Sequence, residues 1–362
     1  MPSEDSIRET QSPSFDQCFV IDSLETLAGS VPVIDSRITR IDNLGKIKIR
    51  LGLNRMGYMI DPGLYALGRP DSHSPVLLSA NYKLSFDNLR SVLPGRSVWL
   101  LVLDTKGINV WCAAGKGTFG TTELVARVAS SRLADIVDHR TLIVPQLGAP
   151  GVAAHQVQRQ SGFRVIYGPV EAKDLPAFID SGNRATPEMR RKTFTLKERA
   201  VLIGVELSIV VKYGIMVGLV MFFLAGLGWA GNLWSNVVFH GTLAVSAFVA
   251  AIMAGAVLTP LLLPWLPGRA FSVKGLTAGL CLAALHGAIW LSAAAARTNH
   301  LEIGGWMLLG PAFASFLAMN FTGASTFTSL SGVKKEMHFA LPLEIGGALI
   351  GLTMIIVARF VT

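Results

Sequence analysis

The chain has 362 residues, 51% hydrophobic and only 15% charged, which excludes an ordinary soluble protein. Residues 1–200 hold most of the Asp, Glu, Lys and Arg, while 201–362 read as successive apolar tracts, so a soluble domain followed by a membrane domain is expected. The net charge of +8 is therefore no sign of a nucleic-acid partner, because basic residues beside membrane spans set topology and touch anionic lipid.

Residues 1–36 open with a polar run that lacks the apolar core of a signal peptide. They are expected to form a loosely ordered lead-in on the cytoplasmic side. An α/β domain is expected over residues 37–185. Its first part, Arg37–Ile41 and Lys46–Leu51, alternates apolar and charged residues in strand fashion, with a turn at Asn54–Gly57. Then the rhythm changes. Apolar strands are predicted at Val76–Ala80, Val98–Leu103, Thr141–Val144 and Phe163–Tyr167. Helical stretches are predicted at Tyr82–Leu93, Thr121–Val137, Val152–Gln160 and Lys173–Asp180. This alternation means βα units and a mostly parallel sheet, a Rossmann-like α/β domain. Ligands on such sheets bind in the loops beyond the carboxyl ends of the strands, here Ser79–Lys83, Asp104–Thr118, Pro145–Val152 and Tyr167–Lys173.

A basic linker is expected over residues 186–200, and an all-α membrane domain over 201–362. Five tracts reach the length that a bilayer crossing needs: Val201–Leu227, Val237–Leu266, Val273–Ala296, Ile303–Ala324 and Leu341–Val361. Pro260 and Pro264 should kink or end the second. Arg190, Arg191, Lys192, Lys197, Arg199, Arg269, Lys274, Lys334 and Lys335 flank one side of these tracts, while the other side carries only Arg297 and Glu302. The positive-inside rule then places the first domain in the cytoplasm and the carboxyl terminus outside a cytoplasmic membrane crossed several times. Glu206 and Lys212 are read as snorkelling near a boundary, and His240 and His286 as interhelical hydrogen-bond formers. Cys281 is read as packing, and Trp229, Trp234, Trp265 and Trp306 as interfacial. Asn320, Thr322 and the Ser/Thr-rich stretch to Ser331 are polar for the end of a span.

The three cysteines, Cys18, Cys112 and Cys281, lie far apart and form no CxxC pair. Neither a disulfide framework nor a protein-bound iron–sulfur cluster is expected. Cys112 falls in the loop that leaves the strand at Val98–Leu103. If Asn109 caps a short helix there, Cys112 lies in its first turn, where free amides and the helix dipole favour a thiolate. Lys116, four residues on, adds a cation on the same face, and Asn109 is placed to donate to the sulfur. Three readings stand. Cys112 is a nucleophile served by His139 or His155, a single soft ligand to a cofactor metal, or a small buried residue beside a tight turn.

The run Gly107–Thr121, with Asn109, Val110, Trp111, Cys112, Ala113 and Ala114 at its heart, resembles the signature of the mercury-methylating corrinoid proteins. That family is related to the large subunit of the corrinoid iron–sulfur protein of the acetyl-CoA pathway. The resemblance continues through Pro62–Gly68, Val76–Asp87 and Pro145–His155, and into the apolar half at Asn320–Gly323 and Ser331–Val333. It implies a cobamide bound with its base displaced from cobalt, and Cys112, on a cap helix, as lower axial ligand and catalytic group. Ser79 stands where the family places a threonine, keeping the hydroxyl and losing the methyl. Asn81, Gly148 and Ala149 are the other matching cofactor-side positions.

The implied reaction is methyl transfer from methyl-cobalt to Hg(II), forming methylmercury; a thiolate below cobalt is a strong electron donor that assists departure of the methyl group. The implied partners are a ferredoxin-like protein with two four-iron four-sulfur clusters, which re-reduces the cobalt, and a methyl donor system linked to methyltetrahydrofolate. This chain itself has no cluster-binding cysteines. Two alternatives are a membrane-tethered corrinoid methyl carrier of one-carbon metabolism and a non-enzymatic cobamide-binding membrane protein.

Overall fold

A computed structural model describes residues 12–51, 57–294, 296–320 and 330–361. The chain divides into two compact units, Met1–Ile49 with Leu53–Thr193 and Arg50–Gly52 with Phe194–Thr362. Most of the turn expected at Asn54–Gly57, the tract Phe321–Gly323, the end of the fourth expected span and most of the Ser/Thr-rich stretch lie outside the described residues.

The first unit is built on a seven-stranded mixed sheet: β1 (Val20–Thr26), β2 (Gly29–Ile34), β3 (Gly63–Leu67), β4 (Val76–Ala80), β5 (Val98–Leu103), β6 (Thr141–Val144) and β7 (Arg164–Tyr167), in the order β1-β2-β3-β5-β4-β6-β7. The pairs β1–β2 and β3–β5 are antiparallel, and the other four are parallel. β3, β4 and β5 are continuous apolar runs buried at every position, as strands covered on both faces must be.

Side chains alternate between two cores. On β5, Trp99, Leu101 and Leu103 join one core, and Val98, Leu100 and Val102 join the other. Helices α2 (Lys83–Ser91) and α7 (Leu175–Asp180) pack into the second core through Phe86, Leu89, Leu175 and Phe178. Helices α3 (Val110–Lys116), α4 (Thr121–Ser130), α5 (Leu133–Ile136) and α6 (Ala154–Ser161) pack into the first through Ala113, Ala114, Leu124, Leu133 and Val157.

Two expectations for the amino-terminal part are corrected. The lead-in contains the β1–β2 hairpin rather than loose chain. Its signal is weak because β1 is an edge strand with mostly exposed polar residues, and Pro32 interrupts β2, a residue that strands tolerate chiefly at edges. The stretch expected as two strands is instead helix α1 (Arg40–Arg50). A local cap overrides the alternation. The backbone N–H of Thr39 donates to the Asp42 carboxylate at 3.0 Å, and the N–H of Asp42 donates to the Thr39 hydroxyl at 3.1 Å, a reciprocal capping box. Ile41, Leu44 and Ile47 recur at helical spacing but stand exposed, while Asp42 turns inward.

The second unit is helical: α8 (Leu196–Ala225), α9 (Leu233–Ile252), α10 (Phe271–Ala293), α11 (His300–Asn320) and α12 (Leu330–Ala358). α8 opens on a capping box between Thr195 and Glu198. α9 continues through a π-helical stretch, Met253–Leu258, to Leu261. Pro260 has no N–H to donate, and a π bulge just before it absorbs the lost bond. Among the described residues four helices are long and apolar enough to cross a membrane: Leu233–Leu261, Phe271–Ala293, His300–Asn320 and Gly332–Ala358. The first expected span is a pair, Leu196–Ser208 and Val210–Ala225, meeting at 47°, so a count of five rests on that pair acting as one crossing.

Both histidines expected to bond between helices do so. His240 Nδ1 lies 2.8 Å from Glu302 Oε2, and His286 Nε2 lies 2.8 Å from the Ser246 hydroxyl. Two expectations change here. Trp306 is buried in the helical core rather than interfacial, and Cys281 stands exposed rather than packed. Lys274 is buried at the start of α10, where its Nζ donates to the Leu263 and Leu266 carbonyls at 2.7 Å each.

Candidate functional site

The chain leaves β4 through α2 to reach β5 on one side, then passes from β5 through α3–α5 to reach β6 on the other side of β4. The carboxyl ends of β4 and β6 therefore flank a switch point, where doubly wound sheets open a crevice. A cavity of about 510 Å³ lies there. Leu77, Leu78 and Ser79 of β4, with Ile143 and Pro145 at β6, form its floor. One face of α2 (Ser85, Asn88, Leu89, Val92) forms a wall, and Asn109, Val110 and Trp111 form another. Glu171, Lys173 and Lys192 stand at the rim, with Lys192 paired to Glu171.

The loop that carries Asn109–Cys112 is shaped by Asn81. Asn81 is 2% exposed. Its Oδ1 accepts the Thr105 N–H at 3.0 Å, the Thr105 hydroxyl at 2.8 Å and the Gly107 N–H at 3.1 Å, while its Nδ2 donates to Asp104 at 3.0 Å. Lys106 and Gly107 both take positive φ, 56° and 69°, and this tight reversal is what Gly107 permits. Burial pushes the Asp104 carboxyl up, but hydrogen bonds from the Lys106 side chain and backbone, with the Arg127 charge nearby, hold it below the ordinary carboxylate value. The Asp104 N–H in turn donates to Glu123 of α4 at 2.9 Å, and Arg127 donates to the same carboxylate.

Asn109 caps α3, its Oδ1 accepting the Cys112 N–H at 2.9 Å. The oxygen is thus spent on the amide of Cys112, which holds the turn in place. Ala113 and Ala114 are buried beneath the helix, Trp111 and Cys112 are half-buried, and Lys116 is exposed one turn on. The helix ends at Gly117 with φ 83°, a left-handed cap. Small residues then allow a close approach. A Cβ on Gly148 would lie 2.5 Å from the Phe119 ring, and one on Gly151 would lie 2.1 Å from the Phe119 carbonyl oxygen and 3.1 Å from Ala114 Cα.

Ser79, Asn109, Val110 and Trp111 thus share one cavity wall system, with Cys112 the next residue along. Gly148 lies in the loop against the cap segment, with Ala149 beside it. Asn81 sits close by but is fully engaged in shaping the loop. Ser79 is 3% exposed, and among the described residues its hydroxyl makes only a long contact, 3.3 Å, to the Ala80 carbonyl. His139 is held at the opposite end of the sheet, Nε2 near the Ser74 carbonyl at 2.9 Å and Nδ1 accepting the Thr141 N–H at 3.3 Å, so it cannot serve Cys112 as a base. His155 is exposed at the start of α6.

Residue reasoning missed Thr105 and the Glu123–Arg127 pair, which brace the loop, and Lys192, which reaches the rim from the basic stretch after the sheet. That stretch is pinned to the first unit, with the Val170 N–H donating to the Met189 carbonyl at 2.8 Å and Arg190 donating to Gln146 at 2.9 Å. Among the described residues no group of three or more His, Cys, Asp or Glu could hold a metal ion.

Residues 54–179, from β3 nearly to the end of α7, match the family model described as CO dehydrogenase/acetyl-CoA synthase delta subunit. The matched segment holds the cap helix, the cavity floor and all of the cavity lining except Lys192. Curated relatives include the gamma subunits of the acetyl-CoA decarbonylase/synthase complexes. That of Methanopyrus kandleri is 31% identical over 123 residues, 33% of this chain and 26% of that protein. The gamma 2 subunit of Methanosarcina thermophila is 32% identical over 125 residues, again 33% and 26%. The Archaeoglobus fulgidus subunit is 27% identical over 128 residues, 35% and 27%. The chain thus spans about a quarter of the length of the curated relatives it matches.

Proposed function

We propose that the first unit binds a corrinoid at the β4–β6 switch point and serves methyl transfer, with Cys112 as the lower ligand of the cobalt. The observation that carries this reading is the convergence of Ser79 and the Asn109–Trp111 turn on one cavity, with Cys112 beside it on a capped helix. When bound, the corrinoid supplies a cobalt centre able to carry and release a methyl group. The chain's own residues bind and orient. Asn109 fixes the turn through the Cys112 amide, Asn81 and Thr105 hold the loop that delivers it, and the Ser79 hydroxyl can exchange its long contact for a bond to the ligand. Gly148 and Gly151 keep the cap segment close to the loop after β6.

The acceptor we favour is Hg(II), a soft electrophile suited to a methyl group leaving with its electron pair. The partners are then a ferredoxin-like protein with two four-iron four-sulfur clusters and a methyltetrahydrofolate-linked donor. The similarity to subunits of acetyl-CoA decarbonylase/synthase complexes favours a second reading, a membrane-tethered methyl carrier of one-carbon metabolism. In both, the helical unit lies in the cytoplasmic membrane with five crossings, the bent α8 included, and the first unit faces the cytoplasm.

The test is anaerobic reconstitution of the full chain with a cobamide, followed by its visible spectrum. Wild type should show cobalt–thiolate absorption, and Cys112→Ala should lose it while Cys18→Ala and Cys281→Ala keep it. An unchanged spectrum in Cys112→Ala removes the ligand assignment. Supplying Hg(II) to the methylated protein then separates the two readings, since the first requires one methylmercury per methyl-cobalt at a rate well above that of the free methyl-cobamide, and the second requires no such acceleration.

A further inference from the structure

The second unit holds two carboxyl groups of one helix in contrasting settings. Glu344 lies near the middle of α12 and is 9% exposed. Its Oε1 lies 2.5 Å from the Ser315 hydroxyl of α11. Its Oε2 is buried with no hydrogen-bond partner among the described residues. Among the described residues no cation pairs with it. Ser315, 3% exposed, lies also 3.0 Å from the carbonyl oxygen of Ser272, the second residue of α10.

A serine hydroxyl has one hydrogen, and it cannot serve both acceptors. If it points to Glu344, the Ser315 oxygen and the Ser272 carbonyl face each other with no hydrogen between them, and a full negative charge is buried behind a single bond. If it points to the Ser272 carbonyl, Glu344 must supply the second hydrogen, its carboxylic acid O–H donating to Ser315 Oγ. Only this second assignment fills both contacts. It also reduces the orphaned Oε2 from a carboxylate oxygen to a neutral carbonyl, which is far less costly to bury among apolar helices.

Glu336, eight residues earlier on α12, is placed differently. Its Oε1 accepts the Ser272 backbone N–H at 2.5 Å. That amide belongs to the first turn of α10, where the helix dipole favours an anion. The charged groups nearest this corner are otherwise turned away. Lys274 donates to the Leu263 and Leu266 carbonyls, and Lys334 and Lys335 are exposed. The two carboxyls of α12 thus differ in setting, one accepting a helix amide and the other with a buried oxygen left unpartnered.

We propose that Glu344 is a proton-binding site of the helical unit, occupied at neutral pH, while Glu336 serves as the cap of α10. Removing the proton would place an uncompensated charge between α11 and α12, so occupancy of Glu344 sets how firmly those helices pack. The site stands apart from the methyl-transfer reading and does not depend on it.

The experiment is infrared spectroscopy of the full chain in phosphatidylcholine vesicles at neutral pH. Wild type should show the carbonyl stretch of an un-ionised carboxylic acid, shifted in heavy water. That band should be lost in Glu344→Gln, kept in Glu336→Gln, and moved to higher frequency in Ser315→Ala. A wild-type spectrum without the acid band, or loss of it in Glu336→Gln in place of Glu344→Gln, overturns the proposal. A second measurement needs no variant. Dicyclohexylcarbodiimide attaches to protonated carboxyls in apolar surroundings, so mass spectrometry of the treated wild type should find the adduct on Glu344. An adduct on Glu336 with Glu344 unmodified also overturns it.

Discussion

Asn109 and Asn81 divide the work of presenting Cys112. Asn109 acts on the helix by accepting the Cys112 N–H, and Asn81 acts on the loop by collecting Thr105 and Gly107. The first role was legible in the sequence, because an Asn three residues before the position of interest is an N-cap pattern. The second was not, since Asn81 and Thr105 are 24 residues apart and only the sheet brings their strand ends together. Replacing Asn109 by Ala should cost about 1 kcal/mol of local stability, the usual worth of a cap. Amide exchange across residues 110–117 of the full chain should then quicken several-fold in Asn109→Ala and change little in Asn109→Asp. Equal exchange in all three would mean that Cys112 is held by packing alone.

The element that forms one wall of the cavity, α2, is fixed from behind by charge. Lys83 bonds Asp42 at 2.5 Å and Asp87 at 2.7 Å, and Arg90 bonds Asp87 and Asp42 at 2.8 Å each. Arg90 reaches further to the Asp35 and Arg37 carbonyls at 2.7 Å. This buried quartet ties α1 to α2, with Ser85, Asn88, Leu89 and Val92 of α2 turned to the cavity. Burial would by itself raise the Asp42 carboxyl, but hydrogen bonds from Lys83 and from the Thr39 backbone and hydroxyl hold it well below the usual carboxylate range. A depressed carboxyl contributes stability that is whole above its unfolded value, near pH ~4, and is lost as pH falls through the folded value. Amide protection in α1 and α2 should therefore hold from neutral pH down to about 4 and fall steeply below that. Lys83→Met, which leaves two buried carboxylates sharing the single charge of Arg90, should lose about 3–5 kcal/mol already at neutral pH; protection equal to wild type would show the quartet to be incidental. Why the sequence reads as strands here is now plain. Lys46–Leu51 does alternate, but the Thr39–Asp42 cap and the inward turn of Asp42 decide for helix, and the partner charges lie more than 40 residues away.

At the scale of the whole molecule, the proposed membrane placement turns on the number of crossings. Four helices pass as spans by themselves, and a fifth crossing needs the 47° pair Leu196–Ser208 and Val210–Ala225 to act as one. With five crossings the carboxyl terminus lies opposite the first unit, and with four it lies on the same side. A reporter active only outside the cytoplasm, fused after Thr362, should be active; activity confined to a cytoplasmic reporter would reduce the count to four. Hydropathy made the apolar helices visible from sequence because length and composition alone define them. It could not show that Trp306, Lys274 and Glu344 turn inward, because that depends on which faces α9–α12 present to one another.

The sequence by itself determined the division into a charged half and an apolar half, the βα alternation from Val76 to Asp180, and the helix cap before Cys112. Each of these is a local matter of periodicity, charge or capping chemistry. Only the tertiary structure decided the rest. It made the lead-in a hairpin and residues 40–50 a helix, paired β4 with both β5 and β6 to open the cavity, spent Asn81 on the loop, and set Ser315 between Glu344 and Ser272. Those outcomes turn on contacts between residues tens of positions apart, whose partners no window of local sequence contains.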